Sequence, residues 1–280
     1  MTKFFDPPER EGDYTMRCSC VAPQLLIVLV NQNPSMTEDI DDIRKISLAS
    51  QAVNKIIERI IVKNFDGEHP KNRYYISVVG YGDHITDIKS GFLRDLDESP
   101  ISVDKEIRRV SDGAGGVVDV ECNIPKWIDI ESSSIDKFLL PDSLDHCISI
   151  ILQWLSSRPN TPAPIILNIT DRILYSETDC SKVKSKLDEL FAIPSIDGKC
   201  LFYNYIITAD SDPYKRFPIV DDSLQNESSL ISLTSKIPVN HQTRIANYDY
   251  PLFNDGKTID EIVGLSSDIN AILHVVTASF

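Results

Sequence analysis

Residues 24–30 (Q-L-L-I-V-L-V) carry no polar position after Gln24 and stop at Asn31-Gln32-Asn33-Pro34. Such an unbroken apolar run reads as a strand buried on both faces. From 39 to 62 the pattern changes. Apolar residues recur at Ile40, Ile43, Ile46, Ala49, Val53, Ile56, Ile57 and Ile60, in steps of three and four, which predicts a long amphipathic helix. Glu38, Asp39, Asp41 and Asp42 would then lie near its positive amino end. A polar connection at 64–72 leads to a second strand at 74–81 (Y-Y-I-S-V-V-G-Y). Gly82-Asp83 then turns into a more polar third strand near 84–92.

Regularity is lost between 95 and 137, which hold an acidic stretch, a Gly113-Ala-Gly-Gly116 turn and a weakly amphipathic 103–110; the expectation is an irregular insertion. It returns with a helix at 143–155 that turns Leu144, Cys147, Ile148, Ile151, Leu152 and Leu155 inward. A Pro-rich link at 158–164 and a strand at 165–170 follow. A helix at 179–191, a strand at 200–208, a helix at 223–233 capped by Ser223, and a last helix from Ser266 to His274 complete the chain. Buried strands alternating with amphipathic helices predict an α/β, doubly wound, mostly parallel sheet flanked by helices. The division expected is an N-terminal extension over 1–20 and one domain over 21–280, with the insertion inside it.

Composition sharpens this. The chain has 280 residues, ample for a sizeable core, and a formal net charge of −14. An acidic surface without a basic patch disfavours nucleic acid and anionic lipid. The densest basic stretch, Lys182, Lys184 and Lys186, is followed by Asp188 and Glu189. No apolar run approaches the roughly 20 residues that span a bilayer. The six cysteines show no C-x-x-C pair, and with the absence of a signal-like start they predict reduced, mostly buried thiols in a cytoplasmic protein. No G-x-S-x-G, G-x-x-x-x-G-K-[ST] or strand-following G-x-G-x-x-G occurs, so a catalyst is not expected. His146 beside Cys147 is no nucleophile–base pair, because adjacent helical residues point about 100° apart.

In a doubly wound sheet, ligands sit beyond the carboxyl ends of the strands. Two strand ends are rich in oxygen donors: Asn31-Gln32-Asn33-Pro34-Ser35 after the first, and Asp171 after the fourth. Pro141-Asp142-Ser143 opens the middle helix. Oxygens converging from three loops suit a hard divalent ion such as Mg²⁺. Each residue also has an ordinary structural use: Ser143 as an N-cap, Ser35 in a turn, Asp171 at a strand end.

Together the three loops resemble the von Willebrand factor A (vWA) fold with its metal-ion-dependent adhesion site. That family carries D-x-S-x-S after the first strand, a Thr before a middle helix and an Asp after the fourth strand. Here Asn31-Gln32-Asn33-Pro34-Ser35, Ser143 and Asp171 stand in those places, and Asn33-Pro34-Ser35-Met36 replaces the family's S-G-S-M. The segments 76–83, 165–171 and 197–204 resemble a bacterial subgroup of stand-alone vWA domains, and the likeness runs over about 20–275. It implies an interaction module working beside components of bacterial signalling or defence systems. Its face would bind a protein through Asn31, Asn33, Ser35, Ser143 and Asp171, with Asn33, Ser35, Ser143 and Asp171 as the metal set.

The family's first Asp is Asn31 here and its first Ser is Asn33. A carboxylate lost beside a divalent ion forfeits on the order of 8 kcal/mol before solvent compensation, at about 4 Å and an effective dielectric near 20. The expectation is a degenerate site with Mg²⁺ weakly bound or absent, and a neutral or basic protein partner whose binding weakens with salt. The enzymatic alternative is a Mg²⁺-dependent phosphatase or hydrolase using Asp171. Trp127, Trp154, Tyr74 and Tyr75 are candidate interface anchors, although Trp154 has the spacing of a core residue.

Overall fold

The computed structural model describes residues 13–111, 113, 115–172, 175–208, 217, 229–246 and 262–279. In chain order its elements are β1 (Gln24–Asn31), β2 (Asp39–Ile40), β3 (Ile43–Arg44), α1 (Lys45–Asn64), β4 (Tyr74–Tyr81), β5 (Ile85–Phe92), α2 (Leu93–Asp97), β6 (Ser102–Ser111) and β7 (Val117–Lys126). Then come α3 (Leu140–Ser157), β8 (Ile165–Thr170), α4 (Glu177–Phe191), β9 (Leu201–Ile206), α5 (Val239–Ala246), β10 (Leu265–Ser266) and α6 (Ile269–Val276). Short 3-10 turns stand at Pro34–Thr37 and Leu230–Leu233.

All eight positions of β1 are buried, and the strand sits inside a six-stranded sheet of order β10-β9-β8-β1-β4-β5. It pairs in parallel with β4 on one side and β8 on the other; β9 and β10 continue in parallel, and β5 closes the far edge antiparallel. Successive side chains alternate between two apolar layers. Leu26, Val28 and Val30 pack with α1 and α6, whereas Leu25, Ile27 and Leu29 pack with α3 and α4. This is the mostly parallel, doubly wound α/β sheet that the alternation of elements predicts. The chain leaves β1 toward β4 and returns to β8 on the other side, so the strand order reverses between β1 and β8. Their carboxyl ends, Asn31 and Thr170, flank that crevice.

Three expectations are corrected. First, α1 begins at Lys45, not near Asp39. Residues 39–44 form a two-residue hairpin, Asp39 opposite Arg44 and Ile40 opposite Ile43, with Asp41 and Asp42 both left-handed (φ 51° and 63°). The step-of-three spacing of Ile40 and Ile43 imitates a helix while belonging to a tight turn. Second, 95–137 is not irregular throughout: β6 and β7 pair over ten positions, from Ser102 opposite Lys126 to Ser111 opposite Val117. Ile107 and Val117 are among its exposed residues. With no buried face, its sequence carries no burial period. Residues 112 and 114, inside the glycine turn, lie outside the described residues.

Third, several side chains point elsewhere. Leu152 is 51% exposed. Trp127 is buried, donating its indole N–H to Leu96 O at 2.6 Å. The following residues are stitched to α1: Asn54 Oδ1 accepts from Trp127 N and Ile128 N (2.7 and 3.2 Å), and Ser50 Oγ accepts from Ile130 N (3.0 Å). Tyr74 and Trp154 are also core, so neither they nor Trp127 can anchor a partner. The last helix is capped by Asp268, Ser266 lying in β10. Of the expected helix at 223–233, residues 223–228 lie outside the described residues; 230–233 is a 3-10 turn capped by Ser229. Cys18, Cys147, Cys180 and Cys200 are buried, Cys122 is half-buried and Cys20 is exposed; no disulfide joins any of the six. No helix among the described residues is long and apolar enough to cross a membrane.

Candidate functional site

The first loop of the crevice is built from local chemistry. Asn31 ends β1 with its side chain on the α3 face, and its Oδ1 accepts from Asn33 N at 3.0 Å, turning the chain out of the strand. Pro34 then fits the first position of the 3-10 turn, where no amide hydrogen is needed. Fully buried Met36 anchors that turn below. Outside, Ser133 N donates to Gln32 O (2.6 Å) and Gln32 Nε2 to Glu131 O (2.8 Å), tying the loop to the segment after the ribbon.

Asp171, just past β8, is the hub. Its Oδ1 accepts from Asn31 Nδ2 at 3.1 Å and from Ser35 Oγ at 3.2 Å. Its Oδ2 accepts from Lys45 Nζ at 3.1 Å. Side-chain exposure is 6% for Asp171 and 15% for Lys45, so this ion pair is largely withdrawn from solvent. Lys45 Nζ also pairs with Glu38, whose carboxylate is 64% exposed. Partial burial pulls the Lys45 ammonium pKa down, but hydrogen bonds and charge from Glu38 and Asp171 outweigh it and leave the pKa above its ordinary value. Lys45 therefore stays protonated at neutral pH.

The structure brings Asn31, Asn33, Ser35 and Asp171 into one loop cluster. Ser143 behaves differently. It is fully buried in the first turn of α3, after the N-cap Leu139, and its hydroxyl donates to Leu140 O at 2.8 Å. No hydrogen bond joins it to the other four among the described residues, and it is not the N-cap. Lys45 is the residue that sequence reasoning missed. Its signal is its place: a helix start whose first turn holds no acidic residue and begins Arg44-Lys45 sets cations against the helix dipole, an arrangement that calls for a compensating anion.

These residues fit a divalent ion poorly. Mg²⁺ demands near-octahedral oxygen donors and strong charge. Both Asp171 oxygens are already engaged by N–H or O–H donors, and Asn31 presents its NH₂, not its carbonyl, to that carboxylate. An ammonium sits where positive charge is wanted. A second, divalent cation about 4 Å from it would be repelled by roughly 8 kcal/mol at an effective dielectric near 20. Asn33 Oδ1 is buried and without a hydrogen-bond partner, while the Ser35 and Ser143 hydroxyls spend their hydrogens on Asp171 Oδ1 and Leu140 O. Among the described residues no group of three His, Cys, Asp or Glu side chains is placed to hold a metal.

Beneath the crevice, on the α3–α4 face, polar side chains form a relay through the core. Tyr81 Oη donates to Asn168 Oδ1 (2.8 Å), Asn168 Nδ2 to Asn204 Oδ1 (2.8 Å), and Asn204 Nδ2 to Thr234 Oγ1 (2.7 Å). Thr234 Oγ1 in turn donates to Leu230 O (2.7 Å). Other candidate chemistry is structural. His146 Nε2 meets Asp87 Oδ1 at 2.8 Å on the surface, and Cys147 is buried in the core, its thiol pKa pushed up by desolvation. A cleft of about 660 Å³ opens at the amino end of β9, lined by residues including Tyr14, Phe191, Lys199 and Ser235, and holds none of the site residues.

The sequence matches no family model and no curated protein. Solved structures similar to this chain include the ArnB paralog VWA2 from Sulfolobus acidocaldarius (13% identity, TM-score 0.34, 68% of this chain and 36% of that one). Manganese-loaded TRAP from Plasmodium vivax is similar at 10% identity and TM-score 0.33, over 69% of this chain and 61% of that one. Proximal thread matrix protein 1 from the mussel byssus is similar at 12% identity and TM-score 0.31, over 69% and 38%. The alignments thus span less than two thirds of each of those chains.

Proposed function

We propose that this chain is a vWA-type interaction module, and not a catalyst, that binds a protein partner through the loop face at the carboxyl edge of its sheet. On this reading it holds no metal tightly and serves a bacterial signalling or defence assembly in the cytoplasm. The supporting observation is the state of Asp171. Its carboxylate is hydrogen-bonded by Asn31 and Ser35 and neutralised by Lys45, which suits an architectural role better than that of a base or nucleophile. The hydrolase alternative needs that carboxylate free, and its engagement weighs against it. Six cysteines without a disulfide favour a reducing compartment.

The chemistry of the partner follows from what surrounds the crevice. Asp39, Asp41 and Asp42 are exposed on the β2–β3 hairpin beside it and outnumber its one exposed cation, Arg44, while Lys45 is spent on Asp171 and Glu38. The face is therefore acidic at its rim and favours a neutral or basic partner, with association that weakens as salt rises. The test is co-purification of the tagged full chain from its native cells, with Asn33→Arg and Asp41→Lys/Asp42→Lys variants alongside. Recovery of a specific protein should fall in both variants and in high salt. Unchanged recovery by folded variant protein sinks the use of this face, and turnover of generic phosphoesters that is lost in Asp171→Ala would favour the hydrolase instead.

A further inference from the structure

We propose that Lys45 is the resident cation of the crevice, its ammonium holding Asp171 in the role that a divalent ion would otherwise fill, so that the site is closed to metal by the protein's own side chain. Four features converge on this. Lys45 Nζ lies 3.1 Å from Asp171 Oδ2, with both side chains mostly withdrawn from water. The other carboxylate oxygen accepts from both Asn31 Nδ2 and Ser35 Oγ, so its own lone pairs are taken, and Asn31 turns its N–H, not its carbonyl, toward the carboxylate. Asn31 adds no charge at this position, so within the withdrawn part of the crevice the single positive charge of Lys45 faces the single carboxylate of Asp171, its other partner Glu38 lying 64% exposed. Lastly, the β2–β3 hairpin sets the start of α1 so that its first residue reaches back over the loop, and the Lys45 amide donates to Glu38 O at 2.9 Å to close that hairpin.

Placing a cation at the first residue of a helix is unfavourable against the helix dipole. The position is explained when Asp171 and Glu38 compensate it. The proposal rests on the metal-free part of the reading above and is independent of any partner.

The experiment is a double-mutant cycle on the full chain: wild type, Lys45→Ala, Asp171→Asn, both together, and Lys45→Arg. Each is unfolded in urea with and without millimolar Mn²⁺, and Mn²⁺ affinity is measured directly by calorimetry. The wild-type midpoint should not move with Mn²⁺. Lys45→Ala should lose stability, recover part of it with Mn²⁺, and bind the ion at least about tenfold more tightly than wild type, a change equal to about 1.4 kcal/mol. Combining it with Asp171→Asn should cost less than the sum of the single changes and abolish the Mn²⁺ response, while Lys45→Arg should stay close to wild type.

Additive losses, with Lys45→Ala as indifferent to Mn²⁺ as wild type, overturn the role of Lys45 and leave the metal-free reading standing. Micromolar Mn²⁺ binding by wild type overturns that reading as well. Should Lys45→Ala fail to fold, recovery of folded protein in the double variant supports the proposal, and its failure counts against it.

Discussion

The buried relay beneath the crevice makes a prediction with a sign that few alternatives share. Tyr81, Asn168 and Asn204 are 3%, 0% and 0% exposed, and each donates onward to the next acceptor. Burial raises the Tyr81 phenol well above its ordinary pKa, so it is a donor at any working pH. Tyr81→Phe leaves one buried acceptor, Asn168 Oδ1, without its 2.8 Å donor; an unsatisfied buried polar group costs about 1–3 kcal/mol. Asn168→Leu takes the acceptor from the Tyr81 hydroxyl, leaving it only Thr170, and the donor from Asn204 Oδ1, and should cost more, roughly 2–6 kcal/mol. In the Asn168→Leu background, Tyr81→Phe then removes that poorly satisfied hydroxyl, and Thr170, which also meets it, keeps its bond from Arg172 N. The same substitution that destabilises wild type should there be neutral or stabilising. Equilibrium urea unfolding followed by far-ultraviolet circular dichroism measures all four proteins. A loss from Tyr81→Phe that is equal in both backgrounds would refute the relay as a coupled unit.

Two further outcomes follow from the same structure. His241 is buried against Tyr14 with its Nδ1 unpartnered, and desolvation lowers its pKa to about 3. Because the unfolded chain takes up that proton near pH 6.5 and the folded chain does not, stability should be full above about 6.5 and fall by roughly 1.4 kcal/mol per pH unit below it. His241→Phe should flatten the decline of the urea midpoint between pH 6.5 and 4, and an unchanged slope would exclude His241 as its source. A Cβ at Gly264 would lie 2.0 Å from the ring of fully buried Tyr203, whereas one at Gly80 would meet chiefly the movable end of Gln32. Gly264→Ala should therefore cost about 1–3 kcal/mol or more and Gly80→Ala distinctly less, compared by thermal unfolding; the reverse order would contradict this packing.

What is legible in the sequence is whatever burial writes into it. Residues 25–30 and 165–170 are largely apolar because β1 and β8 are covered on both sides, and the inward stripe of α4 repeats because one face is buried. The crevice is legible for a related reason: Asn31, Asn33, Ser35 and Asp171 are polar residues at or just past the ends of apolar strands, where a sheet has its carboxyl edge. The β6–β7 ribbon is not, since a two-stranded element exposed on both faces has no period to show. Ser143 misleads because spacing places a residue on a helix without saying whether its hydroxyl turns to a loop or, as here, to its own first turn. Lys45 stays hidden while the helix is taken to start at Asp39. The acids at 38–42 then look like dipole partners and mask the cation that belongs to Asp171.

The tethered cation bears on how the face works. A loop cluster organised by an exchangeable ion loses its central charge when the ion leaves. Here the positive charge is held by a covalent side chain, so the loop cluster should keep its form whether or not metal is present. Its two ion pairs differ in environment: Lys45–Asp171 is largely buried and Lys45–Glu38 has one partner 64% exposed. Screening reaches the second and the carboxylates of the hairpin far more than the first. On the proposed reading of a basic partner at the rim, raising salt should weaken its binding while leaving the crevice intact beneath it. A loss of binding without a loss of fold would identify the acidic hairpin, and not the buried pair, as the surface the partner reads.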